Sequence, residues 1–205
     1  MNALILVDLQ NDFAPGGSLA VPGGDEVVPV VNRIMSRFDH IFTTQDWHPE
    51  DHMSFAANHP DKEPGEVIRL NGKDQILWPV HCVQHSEGAN FIPGLNLDPV
   101  QKNFRKGMEQ SVDSYSGFFD NDHQTSSGLH EHLQETGVDT LYIAGLALDV
   151  CVMFTALDAR RLGYTTYLIE DASRAVNLKP GDGEAAVSKL KDAGVQCITS
   201  AELMS

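Results

Sequence analysis

The chain has 205 residues, 41% of them hydrophobic and 21% charged, which is ordinary globular usage and excludes disordered and fibrous classes. A chain of this length can bury about 70% of its unfolded surface, so neither a disulfide nor a metal is needed merely to fold it. Fourteen Lys and Arg against twenty-nine Asp and Glu leave a net charge of −15; a field of that sign repels phosphate backbones and anionic bilayers, so nucleic acid and membrane are not expected partners.

Short β-rich runs alternate with longer helical patterns. Residues 3–7 (ALILV) form a continuous, branched, apolar run, the pattern of a strand covered on both faces. Val27, Val30, Val31, Ile34 and Phe38 recur at helical spacing over residues 26–38. A second strand is read at residues 40–44 (HIFTT) and a third, from a thinner signal, at residues 100–104 (VQKNF). After a polar stretch come a helix over 128–136, a strand at 140–145 (TLYIAG) and a helix over 150–162. A strand at 166–170 (TYLIE), a helix over 183–193 and a closing strand at 195–199 complete the series. Strands separated by helices predict βαβ crossovers and hence a three-layer α/β/α fold, with a mostly parallel, Rossmann-like central sheet. No repeat, linker or low-complexity tract divides the chain, so residues 1–205 are read as one domain.

Three scattered cysteines, Cys82, Cys151 and Cys197, make no disulfide framework and read as free thiols of a cytoplasmic protein. The first apolar run is cut at once by Asp8 and has no basic residues before it, so it is not expected to be a secretory leader. No apolar stretch approaches the roughly 18 residues of a membrane span. Apolar helix faces that pack on a sheet and those that pack on a second copy look alike, so monomer and homo-oligomer fit equally well.

One stretch breaks the alternation. About residues 45–99 are rich in Pro, Gly, His, Asp and Asn, and they carry five of the nine histidines: His48, His52, His59, His81 and His85. Connections of that length are uncommon and are usually functional when ordered.

In an open parallel sheet, ligands bind beyond the carboxyl ends of the strands, so the residues just past each predicted strand are a test for function. Asp8 follows the first, Asp46 and His48 the second, Lys106 the third, and Ala147, Asp149 and Cys151 follow TLYIAG. Any one of these has a bland reading: a buried small hydrophobe for Cys151, a strand-end cap for Asp8, a solvated charge for Lys106. Together they make a working set. A thiol near a helix N-terminus with an ammonium nearby is biased toward thiolate, and a carboxylate within reach can carry its proton. Asp46 and His48, with the distant His81, supply one carboxylate and two imidazoles, a donor set that leaves open positions on a divalent metal and suits zinc, iron and manganese alike. Pro49 and Pro79 would stiffen the loops presenting them. His52 is a candidate fourth ligand or a support behind the others, and Phe13 and Trp78 are candidates for an aromatic slot.

The same segments resemble the nicotinamidase (pyrazinamidase) family of the isochorismatase-like hydrolases along nearly the whole chain. The resemblance lies in ALILVDLQNDFAPGGSLAVPGG, TTQDWHPEDHMSFAANHP, WPVHCVQHSEGA, FRKG, VDSYSGFFDN and GLALDVCVMFTALDARRLGY, in that order. It implies a three-layer α/β/α fold, a catalytic triad at Asp8, Lys106 and Cys151, and metal ligands at Asp46, His48 and His81. It further implies an oxyanion hole from the backbone N–H groups of Ala147 and Cys151, with a cis peptide between Leu146 and Ala147. Phe13 and Trp78 match residues that sandwich a pyridine ring, and Tyr115 matches one bordering that pocket. Leu148 departs from the Thr common in the family, which touches pocket or loop contacts rather than the nucleophile. Cys151 argues against the isochorismatase branch itself, which lacks a cysteine there.

The expectation is therefore hydrolysis of nicotinamide to nicotinate and ammonia through a cysteine thioester, with one divalent metal, zinc foremost, and pyrazinamide as an analogue substrate. A related amidase acting on another small amide or carbamoyl compound is the nearest alternative. A metal-dependent oxidoreductase built on the carboxylate and two imidazoles is a second, but it leaves Asp8, Lys106 and Cys151 without a task.

Overall fold

The computed structural model describes all 205 residues, Met1–Ser205. Taken in chain order, the strands are β1 (Asn2–Val7), β2 (His40–Asp46), β3 (Val67–Leu70), β4 (Lys73–Ile76), β5 (Lys102–Lys106), β6 (Thr140–Leu146), β7 (Thr165–Arg174) and β8 (Gln196–Ile198). The helices are α1 (Val27–Ile34), α2 (Leu129–Glu135), α3 (Met153–Arg161), α4 (Asp182–Asp192) and α5 (Ser200–Met204).

β1 shows why the sheet lies in the middle. Each of its residues from Ala3 to Val7 is fully buried, and alternate side chains feed two different cores. Ala3, Ile5 and Val7 join a cluster that includes Leu129 and Leu133 of α2, Met153 and Ala156 of α3, and Ala186 and Leu190 of α4. Leu4 and Leu6 join the opposite cluster, with Val27, Val28, Val31 and Ile34 of α1 and, at its margin, Leu203 of α5. One layer of helices covers each face.

All six central strands run parallel, in the order β5-β2-β1-β6-β7-β8. The chain winds outward from β1 through β2 to β5, then returns to β6 on the other side of β1 and winds outward to β8. The order therefore reverses between β1 and β6, the position where such sheets open a crevice at their carboxyl ends. Gly145, at φ +127°, lets β6 approach β1 closely: a Cβ there would overlap the Val7 backbone. No helix is long and apolar enough to cross a membrane.

Several predicted elements shift. The third strand begins two residues later than the sequence pattern places it, because pairing with β2 starts at Phe42 opposite Lys102 and runs to Asp46 opposite Lys106. It is an edge strand whose exposed Lys102, Asn103 and Arg105 alternate imperfectly with buried Phe104 and Lys106, which explains its thin apolar signal. The helix expected over 150–162 is split into a π-helical turn at Leu148–Val152 and then α3. The helix over 26–38 ends as α1 and continues as a tighter turn at Met35–Arg37. The 45–99 stretch holds an unforeseen antiparallel hairpin, β3 with β4, and the chain closes with an unforeseen α5, whose Thr199 and Glu202 form a capping box.

Ile5→Ala would open a cavity in the middle of β1, and is expected to cost about 2–5 kcal/mol of stability. Urea unfolding should show a lower midpoint at unchanged slope; an unaltered midpoint would contradict this account of the core.

Candidate active site

Four strand ends converge at the crevice. Asp8 follows β1 at φ +49°, in the left-handed region that Asp tolerates better than most residues, and its side chain is fully buried. Asp46 and Lys106 close β2 and β5 as directly paired residues, both buried. Cys151 lies in the π-helical turn beyond β6, hung from the Ala147 carbonyl, which accepts the N–H groups of Val150 and Val152. Such π turns recur at functional sites.

Lys106 Nζ joins these parts. It donates to Asp46 Oδ1 at 2.5 Å and to the Ser114 carbonyl at 2.8 Å, and lies 2.9 Å from Asp8 Oδ2 and 3.6 Å from Cys151 Sγ. Asp8 Oδ1 accepts from Thr44 at 2.6 Å, whereas buried Asp8 Oδ2 accepts no aligned hydrogen bond. Carboxylate oxygens of Asp8 and Asp46 and the Cys151 sulfur all lie within 4.8 Å of one another. One oxygen of Asp8 is held by a hydroxyl; the other faces the ammonium as a charge, with no aligned hydrogen bond, and is open to a proton.

Protonation follows from burial and charge. Burial pushes Asp8 up to about 6, against the Lys106 charge and with help from Asp46. Burial would raise Asp46 too, but the charges of Lys106 and His48 overcome it and hold that carboxyl well below the usual range. Burial alone would discharge Lys106; the two carboxylates outweigh it and keep the ammonium. For Cys151, burial, with the Asp8 and Asp46 charges, outweighs the pull of Lys106 and lifts the thiol well above its ordinary value. The bias toward thiolate expected from the sequence is thus reversed. At rest the sulfur carries its proton.

Next to this cluster, Asp46, His48 and His81 bring a carboxylate oxygen and two ring nitrogens within 4.8 Å of one another, all buried. His48 Nδ1 faces the Gly107 carbonyl at 2.8 Å, and His81 Nδ1 faces the Pro79 carbonyl at 2.7 Å. A carbonyl only accepts, so each Nδ1 bears a proton and Nε2, 3.6 and 3.9 Å from Asp46 Oδ2, is the nitrogen left for a metal. The Asp46 carboxylate outweighs burial at His48 and raises that ring's pKa, so a bound cation would displace its Nε2 proton. Burial, with the His48 charge, lowers His81 to about 4, so it stays neutral, the form that could bind a metal. With His48 neutral, as a ligand must be, two buried carboxylates against one ammonium leave an excess of negative charge. The donors and the charge balance fit a divalent cation. His52 stands apart from this set: Ser54 Oγ lies 2.7 Å from its Nδ1 and the Val112 carbonyl 3.3 Å from its Nε2, and its ring backs that of His48 at 4.4 Å.

Phe13, Trp78 and Tyr115 line one mostly apolar cavity with Cys151, Asp46 and His81. Trp78 meets Tyr115 edge-on and donates its Nε1–H to the Tyr115 hydroxyl at 3.3 Å. Ala147 lines the same cavity, its peptide bond to Leu146 is cis, and its N–H makes no hydrogen bond within the chain. Leu148 does not line the cavity; it is buried in the core shared with α2, α3 and α4.

Three supporting residues escape a reading by motif. Gln10 pairs its carboxamide with both the N–H and the carbonyl of Asp46, each at 2.8 Å, and so locks the turn after β1 onto the end of β2. Thr44 orients Asp8, and only its i, i+2 relation to Asp46 on one face of a strand hints at it. Gly107, at φ +65°, leaves room for the His48 ring, which a Cβ would overlap.

A parallel α/β sheet with a buried thiol, carboxylate and ammonium at its switch point defines a cysteine hydrolase of the isochorismatase type. The chain belongs to the isochorismatase family, whose domain model matches residues 2–202, and within it to the nicotinamidases. It is 46% identical to the nicotinamidase of Acinetobacter baylyi over 98% of this chain and 94% of that one. The structure of the Acinetobacter baumanii nicotinamidase–pyrazinamidase superposes with a TM-score of 0.96 at 46% identity, covering 98% of this chain and 97% of that one. The pyrazinamidase of Pyrococcus horikoshii, solved in complex with zinc, gives 0.78 at 38% identity, covering 97% and 98%.

Lys106→Met would leave the Asp8 and Asp46 carboxylates buried without their counter-charge, at an expected cost of about 3–5 kcal/mol near pH 8. Protonating the carboxylates removes that repulsion, so the gap from the parent chain should narrow as pH falls toward 5. Chemical denaturation at both pH values checks this; equal stability of the two chains at pH 8 would contradict it.

Proposed function

We propose that this protein hydrolyses nicotinamide to nicotinate and ammonia through a thioester on Cys151, with pyrazinamide, the closely similar ring amide, as an alternate substrate. The observation that carries the reading is the buried contact of Lys106 Nζ with Asp8, Asp46 and Cys151 at the floor of an aromatic-lined cavity. The 46% identity to a nicotinamidase over almost the full chain supports the substrate.

Phe13 and Trp78 hold the flat ring, with Tyr115 bordering it, and bring the carboxamide carbon to the sulfur. Positioning of this kind contributes up to about 7–11 kcal/mol of barrier reduction. Because the resting thiol is protonated, attack needs a base, and the free Oδ2 of Asp8 is the acceptor in reach. As the proton moves to Asp8, the sulfur attacks the amide carbon and a C–S bond forms. The oxyanion accepts hydrogen bonds from the Ala147 and Cys151 N–H groups. Asp8 then returns the proton to the amide nitrogen, the C–N bond breaks, and ammonia leaves a thioester. A water gives a proton to Asp8 and attacks the same carbon; the C–S bond breaks, nicotinate leaves, and the sulfur regains its proton. Lys106 remains an ammonium throughout and stabilises whichever of Asp8 or Cys151 is charged.

Asp46, His48 and His81 would hold one divalent cation, zinc in our reading, although iron and manganese suit the same donors. Bound there, it would supply Lewis acidity toward the ring nitrogen, while Phe13 and Trp78 orient the ring. Three free cysteines fit a cytoplasmic enzyme.

Cys151→Ala should lower ammonia release from nicotinamide by at least about 10⁴-fold, while metal content by mass spectrometry stays at the parent level. Residual turnover near that of the parent would refute the covalent route. Asp8 must be charged to accept the proton, so activity should be full above its pKa of about 6 and fall as pH drops through that value. A flat profile down to pH 4.5, over a range where the fold persists, would exclude Asp8 as the base.

A further inference from the structure

Two residues before the nucleophile, Asp149 sits in the π-helical turn but takes no part in the Lys106 cluster. Its Oδ1 accepts the N–H of Val176 and its Oδ2 accepts the N–H of Asn177, both at 2.8 Å. Those two N–H groups belong to the segment between β7 and α4, and neither has a backbone acceptor. Asn177 turns this segment at φ +51°, and its Oδ1 accepts the Gly183 N–H at 2.9 Å, fixing the far end to the start of α4. The near side is fastened by Asp149. Val176 lines the cavity that holds Cys151, as does Val150 of the nucleophile turn. Trp78, Val150 and Val176 also line an adjoining open apolar groove of about 270 Å³, together with Leu178. These three side chains are therefore the partition between the cavity and the groove.

We propose that Asp149 is a positioning residue that clamps the Val176 segment against the nucleophile turn, and that this clamp sets the size of amide admitted to Cys151. A carboxylate is the right group for the task, since each oxygen accepts one N–H and both bonds are charge-assisted. An Asn would supply one acceptor and turn an NH₂ group toward the second N–H, breaking half the clamp. With the partition held, the cavity admits a flat ring edge-on and shuts out bulkier groups. With it released, the cavity and the groove merge. The substrate half of this inference rests on the nicotinamidase reading; the clamp itself does not.

The test uses the full chain carrying Asp149→Asn, with Val176→Ala as an independent way to thin the partition. Cys151 is challenged with iodoacetamide, a small reagent, and with 5,5′-dithiobis(2-nitrobenzoate), a bulky aromatic one, while mass spectrometry follows Cys82 and Cys197. For both variants the bulky reagent should gain about tenfold or more at Cys151, the factor set by one lost charge-assisted hydrogen bond in the first, while iodoacetamide changes less than about twofold. For Asp149→Asn the nicotinamide KM should rise about tenfold, with kcat held within about threefold. Equal acceleration by both reagents, or reaction spreading to Cys82 and Cys197, would indicate general loosening and overturn the clamp. Unchanged reagent selectivity in both variants would overturn it as well. Failure of the parent chain to release ammonia from nicotinamide would overturn the substrate reading alone, because the two reagents still report on the partition.

Discussion

A single buried ammonium, Lys106 Nζ, holds the site together. It donates to an Asp46 oxygen, the Ser114 carbonyl and the Cys151 sulfur, and faces Asp8 as a charge at 2.9 Å. With Asp8 and Asp46 both buried, their mutual repulsion in a poorly screened setting is large, and the cation between them is what permits both to stay near each other. The same placement determines the chemistry. Asp46 is drawn fully into its charged form, Asp8 is left near 6, and the thiol is neutral at rest; in the proposed reaction Asp8 takes its hydrogen. Two carboxylates of one type thus take different roles because their surroundings differ.

The parallel sheet is what makes this arrangement rigid. Asp46 and Lys106 are paired residues of neighbouring strands, and the Trp47 N–H bonds back to the Lys106 carbonyl, so the Lys106 cluster and the Asp46–His48 segment share one piece of backbone. One residue further along β5, the Gly107 carbonyl orients the His48 ring. The ammonium that serves the sulfur and the carbonyl that orients the imidazole are thus consecutive on one strand end. Displacing that strand end would disturb both halves of the site together.

Much of the fold is legible in the sequence because strand and helix periods differ and the central strands are buried on both faces. ALILV, TLYIAG and TYLIE all fall in the sheet. Asp8, Asp46, Lys106 and Cys151 stand out because parallel strands gather whatever lies past their carboxyl ends. The hairpin escapes notice although RLNGKD carries an Asn-Gly pair, and Asn71 and Gly72 at φ +50° and +80° are the turn that pair favours. Its strands are mostly exposed and lack the apolar alternation that reveals a strand. The π turn that carries Cys151 is hidden because π and α turns share nearly the same apolar pattern. Thr44, Gln10 and Asp149 are illegible as supports, since their partners are remote in sequence or are bare backbone groups. The neutral thiol is beyond reach for a related reason: its sign depends on burial weighed against charges, and burial exists only in the folded chain.

The mechanism stands or falls on acyl transfer to the sulfur, and hydroxylamine partitioning measures that transfer directly. With nicotinamide as substrate and hydroxylamine present, a Cys151 thioester would be intercepted to give nicotinohydroxamate in place of part of the nicotinate. Ammonia should still be released at no lower a rate, because the first step is unaffected. Steady ammonia release with nicotinate as the sole product at every hydroxylamine concentration would contradict the thioester, and with it the roles of Asp8 as proton carrier and Lys106 as its counter-charge.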